Sequence, residues 1–196
     1  MPVLQCDPEE AKARLNHAGI STEAGNTEYE QWRAVTDEAT AVAYEDKVVI
    51  QGSNPVILMG LLNPQGGRAS VYFDGASRGN PGPAAIGWVV ATDDGIVTEG
   101  GEQIGHATNN EAEYRALLAG IEAATAYGFH EVHVQGDSEL IVKQITGEYT
   151  VNALHLQELR VEAYELLESF DSWTITYIPR EANERADALA NDAFEE

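Results

Sequence analysis

The sequence predicts an α/β (α+β) fold, in which a five-stranded mixed sheet is flanked by helices and a small α+β domain precedes it. Three strand-like segments between residues 70 and 104 are separated by short turns rich in Gly, Pro, Asn and Asp, which is typical of an antiparallel meander. Helical periodicity then alternates with two further strand-like segments. This alternation predicts a mixed sheet with helices on its faces.

Residues 1–66 are predicted to form a small domain with the element order αβββα. Its first helix begins at Asp7-Pro8, where Asp7 suits the cap and Pro8 the first turn. Three short strands and a short apolar helix are expected at residues 29–35, 39–44, 47–51 and 55–62. The sequence leaves the role of this domain open, either as an auxiliary binding module or as a packing unit.

Residues 67–196 are predicted to form the second domain, after a boundary in the turn-forming segment 63–68, of sequence NPQGGR. The expected element order is βββαβααβα. Strands are expected at residues 70–74, 84–92, 96–104, 131–136 and 172–178, and helices at 109–127, 138–145, 153–170 and 182–194.

The charge is the most unusual feature of the composition. Asp and Glu number 33 against 11 Lys and Arg, a formal net charge of -22, and the acids are spread over every segment. A basic partner would explain one acidic face, but it would not explain acidity everywhere. The composition resembles that of proteins from salt-loving cells, because in molar salt the Debye length of about 3 Å screens the repulsion between carboxylates.

The remaining composition indicates a cytoplasmic monomer without a membrane anchor. Cys6 is the lone cysteine, so an internal disulfide framework and a cysteine-based zinc site are both excluded. No stretch approaches the roughly 18 apolar residues of a membrane span, and the N-terminus has no basic region followed by an apolar run.

Four carboxylates of the second domain stand where a sheet-and-helix fold can bring them together. Asp74 ends the first predicted strand and Asp137 directly follows the fourth. Glu113 and Asp187 lie in predicted helices. Each has an ordinary structural alternative as a turn residue, a helix cap or part of a solvated helix face. Clustered carboxylates repel one another, however, and make poor packing without a cation.

Residues 69–192 resemble ribonuclease H type 1 in their motifs and in the order of their elements. The matching motifs are Asp74-Gly75-Ala76-Ser77 with Asn80-Pro81-Gly82, Thr108-Asn109-Asn110-Glu111-Ala112-Glu113, Gly136-Asp137-Ser138 and Asn183-Glu184-Arg185-Ala186-Asp187. Any one motif is weak evidence, whereas four in order on suitable elements form a specific pattern.

The resemblance implies a ribonuclease H-like sheet that gathers Asp74, Glu113, Asp137 and Asp187 as catalytic residues and metal ligands. In such enzymes the four carboxylates hold two divalent ions, Mg²⁺ or Mn²⁺, and hard oxygen ligands suit these metals. The expected activity is endonucleolytic hydrolysis of the RNA strand of an RNA/DNA hybrid, which leaves 3′-hydroxyl and 5′-phosphate ends.

Residues that bind the substrate also follow from the resemblance. They are Ser77, Asn80, Thr108, Asn109 and Asn110, which match positions that line the minor groove of the hybrid. There they would contact 2′-hydroxyls, which distinguish RNA from DNA. Thr108 and the nearby helix N-terminus would suit a phosphate. The structural alternative is that these residues are caps and turn formers, and the two roles can coexist.

Two departures from the family pattern affect the mechanism and the substrate. Many members carry a histidine in the loop before the last Asp. Here that loop reads YIPREAN, without histidine, as in an archaeal-like branch of the family. Arg180 or Glu181 is therefore a candidate auxiliary residue that takes over part of the role of the histidine. The segment 146–152 is short and acidic where some relatives have a basic protrusion. An anionic duplex should therefore bind poorly at low ionic strength.

The sequence leaves two other functions open. One is a non-catalytic nucleic-acid binding module, against which the complete set of four carboxylates argues. The other is a nuclease whose main substrate is a different duplex, such as RNA/RNA. The sequence does not decide the preferred metal, the strictness for hybrids or the residue that replaces the loop histidine.

Overall fold

A computed structural model describes residues 3–17, 19–53, 55–62, 67–93 and 95–195. The chain divides into two compact units, one of Met1–Gly67 with Thr125–Phe129, the other of Arg68–Ala124 with His130–Glu196. The predicted boundary segment begins at residues 63–66, which lie outside the described residues, so the boundary itself stays a prediction. None of the helices in the described ranges has the length and apolar character needed to cross a membrane.

The first unit is a five-stranded antiparallel sheet with two helices. Its elements are β1 (Val3–Gln5), α1 (Pro8–His17), β2 (Thr22–Ala24), β3 (Trp32–Val35), β4 (Ala39–Ala43), β5 (Lys47–Gly52) and α2 (Val56–Leu62). The sheet order is β1-β5-β4-β3-β2. Asp7 caps α1 by accepting the Glu9 N–H at 2.8 Å. Trp32 is buried and its indole N–H donates to the Pro8 carbonyl at 2.9 Å, which ties α1 to the sheet.

The predicted order αβββα for this unit is incomplete, because it omits the two edge strands β1 and β2. Each edge strand has only three residues and buries none of them fully, so neither shows the alternation of apolar and polar residues that marks a strand. Their pairing comes from neighbours already in the sheet, as between Val3 and Val49 on β5. Short edge strands of this kind depend on tertiary pairing rather than on local sequence.

The second unit is a mixed five-stranded sheet with helices, which confirms the predicted fold class. Its elements are β6 (Arg68–Ser77), β7 (Gly82–Thr92), β8 (Gly95–Ala107), α3 (Asn109–Ala126), β9 (Glu131–Gly136), α4 (Glu139–Ile145), α5 (Leu154–Leu167), β10 (Ser172–Tyr177) and α6 (Glu184–Asp192), with a short 3-10 turn at Arg180–Ala182 before α6. The sheet order is β10-β9-β6-β7-β8. β6 pairs antiparallel with β7 and parallel with β9.

The register of β6 determines where the predicted carboxylates lie. Phe73 pairs with Gly136, the last residue of β9, so Asp137 emerges beside Asp74. Asp74 itself pairs with Gly87 on β7, and the pairing continues to Ser77. β6 is therefore longer than the predicted strand, because the hairpin with β7 continues past the carboxylate to the turn.

Two glycines allow the helices to approach this sheet closely. A Cβ atom on Gly75 would lie 2.2 Å from the backbone of Ala112 and Glu113, so α3 packs directly on β6. A Cβ atom on Gly87 would lie 2.3 Å from the Ala186 carbonyl oxygen, so α6 packs directly on β7. Glycine is the one residue that permits such contact between backbones, and the two contacts set how closely the helices that carry Glu113 and Asp187 approach the sheet.

Candidate active site

Three of the four predicted carboxylates form a compact group. Single carboxylate oxygens of Asp74, Glu113 and Asp137 all lie within 4.8 Å of one another. Asp187 lies outside this group, as far as the described residues are concerned, but lines the same cavity of about 220 Å³. The cavity is lined by Asp74, Gly75, Ala76, Ser77, Asn109, Glu113, Asp137, Arg180, Asp187 and Asn191.

Burial and repulsion from neighbouring carboxylates favour the protonated forms of Asp74 and Glu113. Burial raises the pKa of the Asp74 carboxyl to about 7, repulsion from Asp137 and Asp187 acts in the same direction, and the Arg180 guanidinium opposes both. Burial also raises the pKa of Glu113 well above its usual range, with repulsion from Asp74 and Asp137 adding to the effect. Near neutral pH Asp74 and Glu113 therefore retain protons that a bound cation would displace.

The donor atoms of this group fit a hard divalent cation. Glu113 Oε2 is buried and has no hydrogen-bond partner among the described residues, although a buried acceptor normally has one. The backbone N–H of Gly75 donates to the same carboxylate. All the ligand atoms are carboxylate oxygens, the type that Mg²⁺ and Mn²⁺ prefer and that does not favour softer metals.

The Asp187 carboxylate is held by two neighbours. Its Oδ1 accepts a hydrogen bond from Arg180 Nη2 at 2.5 Å, and its Oδ2 accepts one from Asn191 Nδ2 at 3.1 Å. The Asp187 side chain remains 25% exposed, so a cation can reach this carboxylate from solvent. Arg180 is thus at the cavity, whereas Glu181 is exposed and does not line it. The auxiliary role expected for either residue stays a prediction.

Asn183 belongs to the site although the sequence did not single it out as a functional residue. Its side chain is buried and donates from Nδ2 to Asp137 Oδ1 at 3.0 Å and to the Phe73 carbonyl at 2.9 Å. From the sequence, Asn183 falls in the first turn of the helix predicted at residues 182–194, where an Asn indicates only a helix start. The partners of its side chain come from distant strands, so no local pattern could have identified them.

The predicted substrate residues near the turn after β6 form a connected network. Asn109 Oδ1 accepts the Ser77 N–H at 3.1 Å, and Asn80 Oδ1 accepts the Asn109 N–H at 3.2 Å. The Ser77 hydroxyl donates to the Ala107 carbonyl at 2.8 Å. Ser77 and Asn109 line the cavity, whereas Asn80 supports them from outside its lining. The turn is therefore joined to the start of α3 before any substrate arrives.

Thr108 and Asn110 do not line the cavity. The Thr108 hydroxyl and N–H both donate to the Glu111 carboxylate, at 3.0 and 2.9 Å, and Thr108 Oγ1 accepts the Glu111 N–H at 3.2 Å. This reciprocal arrangement is a capping box. It places a carboxylate on the donors that were expected to suit a phosphate, so a phosphate there would have to displace Glu111. Asn110 is half-buried in the first turn of α3.

Comparisons with known proteins agree with this geometry. The family model described as "Reverse transcriptase-like" matches residues 72–193. The ribonuclease HI of Halobacterium salinarum is 54% identical over 198 residues, which cover 100% of both chains. This chain belongs to the type 1 ribonuclease H family. The resemblance predicted from the four motifs is thereby confirmed.

Solved structures of type 1 ribonucleases H match about two thirds of this chain. The crystal structure of the enzyme from Halobacterium salinarum NRC-1 has 58% identity and a TM-score of 0.65, covering 66% of this chain and 98% of that one. The LC11 type 1 ribonuclease H in complex with an RNA/DNA hybrid has 38% identity and a TM-score of 0.62, covering 65% and 96%. The Mycobacterium tuberculosis bifunctional protein Rv2228c is 45% identical over 127 residues, 64% of this chain but only 35% of that protein.

Proposed function

We propose that this type 1 ribonuclease H cleaves the RNA strand of RNA/DNA hybrids endonucleolytically and leaves 3′-hydroxyl and 5′-phosphate ends. The observation that carries the proposal is the convergence of Asp74, Glu113 and Asp137 in one cavity, with Asp187 on its wall. A module that only bound nucleic acid would have no use for mutually repelling carboxylates, because they repel the phosphate backbone as well.

Asp74, Glu113 and Asp137 would hold the first divalent ion, and Asp187 would complete the ligand set for a second. We propose Mg²⁺ or Mn²⁺, because every donor is a carboxylate oxygen. The chemistry that such ions supply is a lowered pKa for coordinated water and a positive charge beside the scissile phosphate. The protein's part is to hold the carboxylates together, at the cost of the raised pKa values of Asp74 and Glu113.

The protein would orient the RNA strand through the network at the turn after β6. Ser77 and Asn109 lie on the cavity wall beside the carboxylates. Asn80 fixes the first N–H of α3 and so keeps Asn109 in place. Side-chain amides and hydroxyls both donate and accept, so they suit 2′-hydroxyl groups, which only the RNA strand carries. Substrate recognition would therefore act directly beside the metal ligands.

Cleavage of matched duplexes tests the proposal. End-labelled RNA/DNA, RNA/RNA and DNA/DNA duplexes are incubated with Mg²⁺ or Mn²⁺ in molar KCl, where the surface charge is screened. We expect metal-dependent cleavage of the RNA strand in the hybrid alone, and Asp74→Asn should abolish it. Asp171→Asn is the matched control, since this exposed carboxyl precedes β10 at the end opposite the site and should leave cleavage unchanged.

The possible outcomes separate the candidate functions. Equal cleavage of RNA/RNA and RNA/DNA would assign the enzyme to a broader duplex substrate. Binding of hybrid without cleavage, under any metal or salt condition, would favour a non-catalytic binding module and contradict the proposed activity. Analysis of the new ends by ligation and by phosphatase sensitivity checks the 3′-hydroxyl and 5′-phosphate assignment.

The first unit has no assigned chemistry, and its predicted role is that of an auxiliary hybrid-binding module or a packing module. Deleting residues 1–66 and measuring hybrid affinity in molar KCl separates the two. A loss of affinity supports the binding role, whereas unchanged affinity rejects it. The monomeric state and the cytoplasmic location also stay predictions, and light scattering in molar KCl checks the first of these.

A further inference from the structure

We propose that Asn183 is a positioning residue for the metal centre, holding the Asp137 carboxylate in the orientation in which it binds the cation. The inference rests on the proposed function, since it concerns how the same site is assembled. Asn183 is 1% exposed, lies directly before α6, and reaches a carboxylate on another element.

Both hydrogens of the Asn183 amide are used within the site. One points to Asp137 Oδ1 at 3.0 Å and the other to the Phe73 carbonyl at 2.9 Å. Phe73 directly precedes Asp74 on β6, and it pairs with the last residue of β9, which directly precedes Asp137. One side chain therefore holds the Asp137 carboxylate against the backbone that carries Asp74.

The backbone of Asn183 makes the third connection. Its carbonyl accepts the Asp187 N–H at 3.1 Å, in the first turn of α6. The position of Asp187 therefore depends on that of Asn183 through one helical turn. The Asn183 side chain is in turn hydrogen-bonded to the sheet at the Phe73 carbonyl. Three of the four carboxylate-bearing elements meet at this residue, so its placement sets the spacing among Asp74, Asp137 and Asp187.

A neutral donor is well suited to orienting a metal ligand. The amide fixes one oxygen of Asp137 and leaves the other for a cation or a neighbouring carboxyl. A lysine or arginine at this point would fix the carboxylate too, but its positive charge would repel the cation. Hydrogen bonds to ligating carboxylates generally set their orientation and their affinity for metal.

A purely structural role would give this side chain different contacts. An Asn at a helix start normally accepts an N–H from the first turn, yet Asn183 makes no side-chain cap hydrogen bond. Its Oδ1 is buried and, within the described ranges of the chain, has no hydrogen-bond partner. An amide that served only stability would satisfy its oxygen as well. Here the donors are satisfied and the acceptor is not, which is the arrangement that orients a carboxylate.

The test measures metal binding to the protein alone, together with steady-state cleavage. Mn²⁺ affinity is determined by electron paramagnetic resonance in molar KCl for the parent, Asn183→Ser and Asn183→Ala. We expect Mn²⁺ affinity to fall by about 10- to 100-fold in both variants, as for other residues that orient metal ligands. The kcat should fall while the KM for the hybrid stays within about twofold, and more Mg²⁺ should be needed for half-maximal rate.

Gln144→Ala is the matched control for lost stability. Gln144 is likewise buried, its Oε1 accepts the Tyr114 hydroxyl at 2.9 Å, and neither residue lines the cavity of the carboxylates. This change should lower the Tm yet leave Mn²⁺ affinity and the Mg²⁺ requirement unchanged. An Asn183 variant that folds and binds Mn²⁺ as tightly as the parent would overturn the inference. So would unfolding of both Asn183 variants while Gln144→Ala stays folded, since that result assigns a structural role.

Mn²⁺ binding and cleavage by the parent protein distinguish failure of the proposed function from failure of the role of Asn183. If the parent protein neither binds Mn²⁺ nor cleaves the hybrid, the proposed function itself is wrong. If the parent binds and cleaves but the Asn183 variants match it in Mn²⁺ affinity, only the role of Asn183 is rejected.

Discussion

Arg180 donates a hydrogen bond from Nη2 to Oδ1 of Asp187 across the turn that leads into α6, and this ion pair stands at the edge of the carboxylate group. The Arg180 side chain is 73% exposed, so little else holds it in place. Its charge also lowers the pKa of Asp74 against the effects of burial and repulsion. In this conformation Arg180 supplies part of the positive charge that the site needs.

Arg180→Ala should therefore increase the affinity of the metal-free protein for divalent cations. The variant removes a positive charge that competes with the metal ion for Asp187. Half-saturation should therefore need up to about tenfold less Mn²⁺, because a charge interaction worth about one pKa unit changes the affinity about tenfold. Arg180→Lys keeps the charge and should behave like the parent. Weaker Mn²⁺ binding in Arg180→Ala would show instead that the arginine supports the metal ligands.

The raised pKa of Asp74 predicts a pH-dependent stability in the absence of divalent metal. The folded carboxyl titrates near 7 and its ordinary value is 3.8, so the folded state binds this proton more tightly. That contribution to stability is complete below about pH 4 and is lost as pH rises through about 7. Asp74→Asn is neutral throughout, so the Tm of the variant minus that of the parent should grow by several degrees between pH 4 and 7.

Calorimetry of the metal-free proteins checks this difference, with Asp171→Asn as the exposed control. A Tm difference that stays constant between pH 4 and 7 would mean that Asp74 is not the group that holds the proton. Addition of Mg²⁺ at pH 7 should raise the Tm of the parent and leave that of Asp74→Asn nearly unchanged, because binding to the folded state stabilises it.

Gly75→Ala should separate Glu113 from Asp74. The new methyl group would meet the backbone of α3 at 2.2 Å, so the helix has to move away from β6. Overpacking of this kind costs roughly 1–3 kcal/mol of unfolding free energy. Gly87→Ala is the matched comparison, since its methyl group would push α6 rather than α3. Unfolding and Mn²⁺ titration measure both effects, and a parent-like Tm in Gly75→Ala would contradict the close packing described above.

The net charge of -22 predicts that salt stabilises the folded protein. As KCl rises from about 0.1 M to 1 M, the Debye length falls from about 10 Å to about 3 Å and the repulsion among carboxylates is screened. The Tm should rise most steeply over this interval. Sucrose favours compact states without screening charge, so it should reproduce only a minor part of the rise. Equal effects of KCl and sucrose would exclude charge repulsion as the cause.

The sequence predicts those parts of the site that depend on local patterns of residues. Asp74 and Asp137 adjoin strands whose alternation is visible, and parallel neighbours end at the same sheet edge. The pairing of Glu113 with them depends on Gly75, whose missing Cβ matters only once α3 is placed. Asn183 is the extreme case, since its side-chain partner Phe73 lies 110 residues away in the chain.

Some features of the secondary structure also depend on distant neighbours, so the sequence does not predict them. The edge strands β1 and β2 are too short and too exposed to show an alternating pattern, so they are defined by their neighbours. The extension of β6 to Ser77 is likewise a property of the hairpin with β7 rather than of its own residues. Thr108 and Glu111 form a recognisable capping box, although the resemblance to ribonuclease H predicts a phosphate contact for Thr108.

The central position of β6 has a consequence for how the site moves. Asp74 lies on a strand that is hydrogen-bonded on both sides, so its backbone belongs to the most protected part of the second unit. Amide hydrogens of residues 71–74 should exchange with solvent only when the whole unit unfolds. Asp74 is thus carried by the least mobile backbone, and exposed Arg180 and partly exposed Asp187 have to supply any motion that admits and releases ions.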